Sequence, residues 1–91
     1  MTKLKEQALK IISYLSEEQK KEDIIEVENT DKNQKLLSYL NNIGSAEVEY
    51  EVKSDYHPGY IQEKGGITYL WYKKTDGSWI IKLWEINRLL N

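Results

Sequence analysis

Three glutamates, Glu47, Glu49 and Glu51, stand at alternate positions, followed by Asp55 and by His57, the one histidine of the chain. Alternate residues of a strand share a face, so the glutamates form a ladder with a step of about 6.8 Å. Three chemistries suit such a set. Carboxylates can do general acid–base work. Glu51, Asp55 and His57 together offer ligands to a divalent ion. The ladder also matches the phosphate repeat of a nucleic-acid strand, which suits a surface that occupies a partner's nucleic-acid groove.

Carboxylate acid–base chemistry keeps several candidates on this strand, while nucleophilic catalysis and metal binding lack their remaining parts. Nucleophilic catalysis needs a base beside the nucleophile and a third group to orient it. There is no cysteine, no nucleophile elbow and no phosphate-binding glycine pattern, and His57 sits beside the Pro58 turn. Side chains two apart on a strand diverge, and nothing else completes a ligand set. No catalytic residue, metal or cofactor is expected, and the chain is read as a non-enzyme. The ladder is then either a docking surface or an edge strand charged against aggregation.

A second candidate surface lies in residues 67–86, which hold all three tryptophans. Asp76-Gly77 signals a type I′ turn, because both central positions of that turn need positive φ. A two-residue loop pairs Lys74 with Trp79, Tyr72 with Ile81 and Leu70 with Leu83; a four-residue loop keeps the same register. One face then carries Leu70, Tyr72, Trp79, Ile81 and Leu83. The other carries Ile67, Tyr69, Trp71, Lys73, Ile80, Lys82, Trp84 and Ile86. On the second face Tyr69 opposes Trp84, and Trp71 opposes Lys82 in cation–π geometry. Both faces are apolar enough to need cover. Either helices and the C-terminal residues cover both, or part of the Tyr69/Trp71/Lys82/Trp84 face stays open as a contact surface.

These residues are positioned by the elements before them. Leu4, Ala8, Leu9, Ile11, Ile12 and Leu15 form a helical stripe over residues 3–15. Ser16 and Gln19 have capping-box spacing, and Asp31 and Gln34 repeat it. Residues 23–28 are short and β-branched, equally readable as a strand or as the end of a helix. A helix follows over residues 32–43 with Leu36, Leu37, Leu40 and Ile43 inward, and Gly44 stands where a helix-ending glycine belongs. Residues 46–53 alternate strictly, with Val48, Tyr50 and Val52 toward the core. His57-Pro58-Gly59 turns the chain, residues 60–63 allow a short strand, and residues 87–91 a helical turn or a frayed end. The fold class is α+β: two or three N-terminal helices packed on a three- or four-stranded antiparallel meander that ends in the Asp-Gly hairpin.

Composition narrows the function classes. Ninety-one residues make one domain with a modest core. The absence of cysteine fits a reducing compartment, read as the cytoplasm. No signal peptide and no membrane span is expected. A net charge of −2 argues against a strongly basic nucleic-acid binder. Abundant Lys, Asn, Ile and Glu suggest an AT-rich coding source, such as a low-GC bacterium, its phages or an archaeal virus.

The order helix, short segment, helix, hairpin resembles a winged-helix domain. That resemblance makes residues 4–15 the first helix, 17–27 the second, 32–43 the recognition helix and the Lys73/Lys74/Ser78 tip the wing. It implies DNA contacts through Lys32, Asn33, Lys35, Lys73 and Lys74, with Ser38, Asn41 and Asn42 on the same helix face. Against it, residues 44–66 are long for the gap before a wing, and the glutamate ladder would repel phosphates. An acidic ladder beside an aromatic sheet also looks like small accessory proteins of phages and mobile elements, among them anti-CRISPR inhibitors. The reading adopted from sequence is a small interaction or regulatory protein that binds a protein partner or itself. Its contact residues are Tyr69, Trp71, Lys82, Trp84, Glu47, Glu49 and Glu51; a DNA-binding regulator is the alternative.

Overall fold

The helical stripes and alternating strands of the sequence assemble into one sheet with a helical cover. The computed structural model describes residues 3–49 and 66–91. In chain order these form α1 (Lys3–Tyr14), a 3-10 turn (Gln19–Lys21), β1 (Ile24–Val27), a second 3-10 turn (Asp31–Asn33), α2 (Gln34–Ile43), β2 (Ala46–Glu49), β3 (Ile67–Lys73), β4 (Trp79–Lys82) and α3 (Leu83–Leu90). The strands make one antiparallel sheet in the order β1-β4-β3-β2. The α+β class is as expected. β2, β3 and β4 are the meander, and β1 joins its far edge beside β4.

Residues 24–27 are a strand, which resolves the ambiguous segment. Ile25 and Val27 are buried while Ile24 and Glu26 are exposed, the period-2 pattern of a strand with one covered face. This also removes the second helix that the winged-helix resemblance required over residues 17–27. Ser16 and Gln19 do form a reciprocal capping box: Ser16 N–H donates to Gln19 Oε1 at 2.9 Å, and Gln19 N–H to Ser16 Oγ at 3.2 Å. The box opens only one 3-10 turn before β1 begins. The second box is replaced, because the Gln34 side-chain amide donates to Asn29 Oδ1 and to the Thr30 carbonyl.

The stripe of α1 and the residue after it narrows to Leu4, Ala8, Ile11, Ile12 and Leu15. Leu9 is exposed, because about 100° per residue carries it onto the flank of that stripe. α2 ends at Gly44, whose φ of 76° suits a residue without Cβ. Its N–H bonds the Leu40 carbonyl at 2.8 Å.

The hairpin register differs from expectation by one residue. Trp71 pairs with Ile81, Tyr72 with Ile80 and Lys73 with Trp79. The loop has three residues, not two or four. Gly77 N–H bonds the Lys74 carbonyl at 3.2 Å, and Lys74 N–H bonds the Ser78 carbonyl at 2.8 Å. Gly77 has φ 89°, and no non-glycine residue among those described has positive φ, so Asp76 does not. The connection is therefore a type I turn closed by a glycine bulge. Asp76 Oδ1 accepts from both the N–H and the hydroxyl of Ser78, which holds the turn.

A second irregularity lies within β3. Ala46 pairs with Trp71, but Glu47 pairs with Tyr69, leaving Leu70 as an extra residue. A bulge of this kind puts adjacent residues on one side of the sheet. Leu70 and Trp71 are accordingly both buried, while Tyr69 is exposed.

The core lies between the three helices and one face of this sheet. It joins Ala8 and Ile11 of α1, Leu36, Leu37 and Leu40 of α2, and Leu83 and Ile86 of α3 with Ile25, Val27, Leu70, Trp71, Trp79 and Ile81 of the strands. The strand expected to run through Ile86 stops at Lys82. Leu83, Ile86 and Leu90 recur at helical spacing and turn α3 back onto the core.

Candidate interaction surface

With the helices on one face, the other face of the sheet carries a row of apolar side chains. Ile67 is 64% exposed and Tyr69 45% exposed, with Tyr72 and Ile80 half-buried beside them. The pairing explains why they meet. Tyr72 and Ile80 are direct cross-strand partners. The bulge at Leu70 swings Tyr69 to the side of Tyr72, and their rings lie 5.8 Å apart in a tilted arrangement. On β1, Ile24 is 54% exposed and pairs with Lys82.

Acidic residues flank this row on both edges. Glu47 pairs with Tyr69 and Glu49 with Ile67 on the β2 side, while Glu26 pairs with Ile80 on the β1 side. Glu47 and Glu49 are exposed. Glu26 is engaged, accepting from Lys74 Nζ at 3.1 Å. The hydrogen bond to Glu26 and the negative charges of Glu26 and Asp76 hold the Lys74 ammonium pKa above its ordinary value. Lys82 Nζ reaches Thr68 Oγ1 at 3.3 Å across the sheet.

The expected contact residues divide. Tyr69, Lys82, Glu47 and Glu49 all belong to the outer face. Trp84 is 44% exposed but stands in the first turn of α3, where its N–H bonds the Asp23 carbonyl. It therefore does not pair with Tyr69. Trp71 must be removed from the surface: it is 0% exposed, and its Nε1–H donates to the Gly44 carbonyl at 2.9 Å. The Trp71–Lys82 cation–π pair is not formed, because the three-residue loop sets Trp71 opposite Ile81. Glu51, Asp55 and His57, with the strand expected past Glu49, the turn at His57-Pro58-Gly59 and the short strand expected over residues 60–63, lie outside the described residues. Tyr72, Glu26 and Ile24 are new members of the surface. No local signal marks Tyr72, since its side depends on the loop length and on the bulge.

Of the residues proposed for DNA contact, Lys32, Lys35 and Lys73 are exposed. Asn33 is occupied, donating its amide to the Glu28 carbonyl and to Thr30 Oγ1. Asn41 accepts from Trp79 Nε1 at 3.2 Å. Lys74 is held by Glu26. Among the described residues no group of three or more histidine, aspartate or glutamate side chains is placed to hold a metal ion. No described helix is long and apolar enough to cross a membrane.

No protein-family model, no curated protein and no solved structure matches this chain.

Proposed function

We propose that this chain is a non-enzymatic cytoplasmic binding protein that docks another protein on the outer face of its sheet. One observation carries the reading: Ile67, Tyr69, Tyr72 and Ile80 form a continuous apolar row on the face away from the helices, edged by Glu47 and Glu49. Exposed apolar patches with a polar rim are typical of interaction sites, and aromatic side chains are enriched at interface centres. A role as an accessory or inhibitor protein of a phage or mobile element is compatible with this surface and rests on the likeness of composition alone.

The test is affinity capture with wild-type and Ile67→Glu chains in parallel, each first shown by circular dichroism to melt alike. A protein retained by the first and lost by the second supports the reading, and identical retained sets overturn it. Binding to random duplex DNA, followed by fluorescence anisotropy at low and physiological salt, addresses the alternative. Affinity that falls steeply with salt, and that is lost in Lys32→Ala/Lys35→Ala, would replace the protein-docking reading with DNA binding.

A further inference from the structure

We infer that the occupant of the outer sheet face is a second copy of this chain, packed face to face about a twofold axis parallel to the strands. This rests on the proposed docking role of that face and names its partner.

Identical chains close a pair through one shared patch, so residue i meets residue j and j meets i. The patch must therefore complement itself. Packed sheets keep their strand directions within about 30° of each other, which leaves two simple twofold axes between the faces. An axis running across the strands lays β2 on β2 and sets the Glu47/Glu49 edge against its own copy, opposing like charges in both molecules. An axis running along the strands exchanges β1 with β2 and β4 with β3, because the strand order is β1-β4-β3-β2.

The second arrangement stacks apolar side chains at its centre and brings one pair of opposite charges together beside them. Ile80 and Tyr72 are neighbours in register, so each lands on the other across the axis, apolar on apolar. Lys82 crosses toward Tyr69 of the second copy, where its ammonium exchanges Thr68 Oγ1 of its own chain for the ring face. Glu47 is the register partner of Tyr69, so the same crossing brings its carboxylate near the incoming ammonium. Twofold symmetry makes each of these contacts twice. The net charge of −2 leaves little long-range repulsion between copies.

The size of the face sets the strength. Four strands about 4.8 Å apart span roughly 20 Å, which places the contact at the small end of protein interfaces and makes the dimer weak and reversible.

Sedimentation velocity of the whole chain over about 1 μM to about 1 mM tests this across the affinity range of a weak pair. The expected result is a concentration-dependent passage from monomer to dimer. Glu47→Lys and Lys82→Glu should each raise the dissociation constant roughly tenfold, since symmetry reverses the contact twice. The double variant Glu47→Lys/Lys82→Glu should recover much of the association, which damage to the fold would not do. A wild-type chain that stays monomeric throughout overturns the second-copy assignment. It leaves the docking role standing, since that role fails only if capture ignores Ile67→Glu. A dimer untouched by both single variants also overturns the arrangement.

Discussion

Leu70 and Tyr69 are neighbours in the chain, yet one has no exposed surface and the other is 45% exposed. That contrast runs across the whole sheet. The inner face holds Trp71, Trp79, Ile81, Ile25 and Val27, all buried. The outer face holds Ile67, Tyr69, Tyr72, Ile80 and Ile24, none of them buried. The two sets are similarly apolar, so hydrophobicity does not decide which becomes core. The difference lies in what each face is anchored to. The two inner indoles donate to groups at the C-terminal end of α2, Trp71 to the Gly44 carbonyl and Trp79 to Asn41 Oδ1. The outer tyrosines meet only each other among the described aromatic contacts. Burial follows the face that fixes a helix by direction as well as by area.

Truncating the two faces should break this symmetry of composition most clearly. Trp71→Ala empties the largest fully buried site and leaves the Gly44 carbonyl without its indole donor. It should cost about 3–5 kcal/mol, seen as a lower urea midpoint or outright failure to fold. Gly77→Ala acts on the device that decides which residues face inward. A Cβ there meets only Asn29 Nδ2 at 3.6 Å, an ordinary contact, so the cost is conformational. Placing a side chain at φ 89° should cost about 1–2 kcal/mol in the same urea titration.

Acid should loosen the same turn. The Ser78 hydroxyl and N–H hold the Asp76 carboxyl below its ordinary value of 3.8. A carboxylate whose folded pKa is depressed stabilises the fold above its unfolded pKa, and that contribution fades as pH falls through the folded one. Melting temperature should therefore drop on acidification below about pH 4. Asp76→Asn should flatten that part of the profile, and an unchanged profile would detach the turn from acid stability. The smallest effect on folding is expected on the outer face. Ile67→Ser should move stability by no more than about 0.5 kcal/mol. A larger loss would show that the outer face shares in the core and would end the contrast.

Much of the fold is legible in the sequence because it depends on local pattern. The stripe of α1, the Ser16–Gln19 box, the α2 stripe with Gly44, and the alternation in β2 each follow from residue type and spacing. Within the hairpin strands the differences come from two single-residue insertions. Asp-Gly suits a type I′ turn and equally a type I turn with a glycine bulge, and only the φ of Asp76 separates them. The extra residue at Leu70 has no sequence mark, since Tyr, Leu and Trp all suit a strand. Each insertion flips the side chains beyond it. For residues 67–69 the two flips cancel, which returns Tyr69 to the side of Lys82, as expected. Trp71 and Tyr72 lie between the insertions and exchange faces. Trp84 was misplaced for another reason: residues 79–86 alternate well enough to read as one strand, and only docking on the core shows that the helical spacing of Leu83, Ile86 and Leu90 prevails.

The placement of β1 beside β4 also sets how the chain reaches this state. Ile24 must find Lys82, so the pairing encloses α2, β2 and β3 within a single large loop. Closing that loop costs entropy before any contact offsets it, and long-range pairings slow folding. The β3–β4 hairpin, joined by three residues, can form early, and β1 arrives late. During that interval β4 is an edge strand displaying Trp79 and Ile81, and its unmet backbone groups are where a half-folded chain is most prone to catch another.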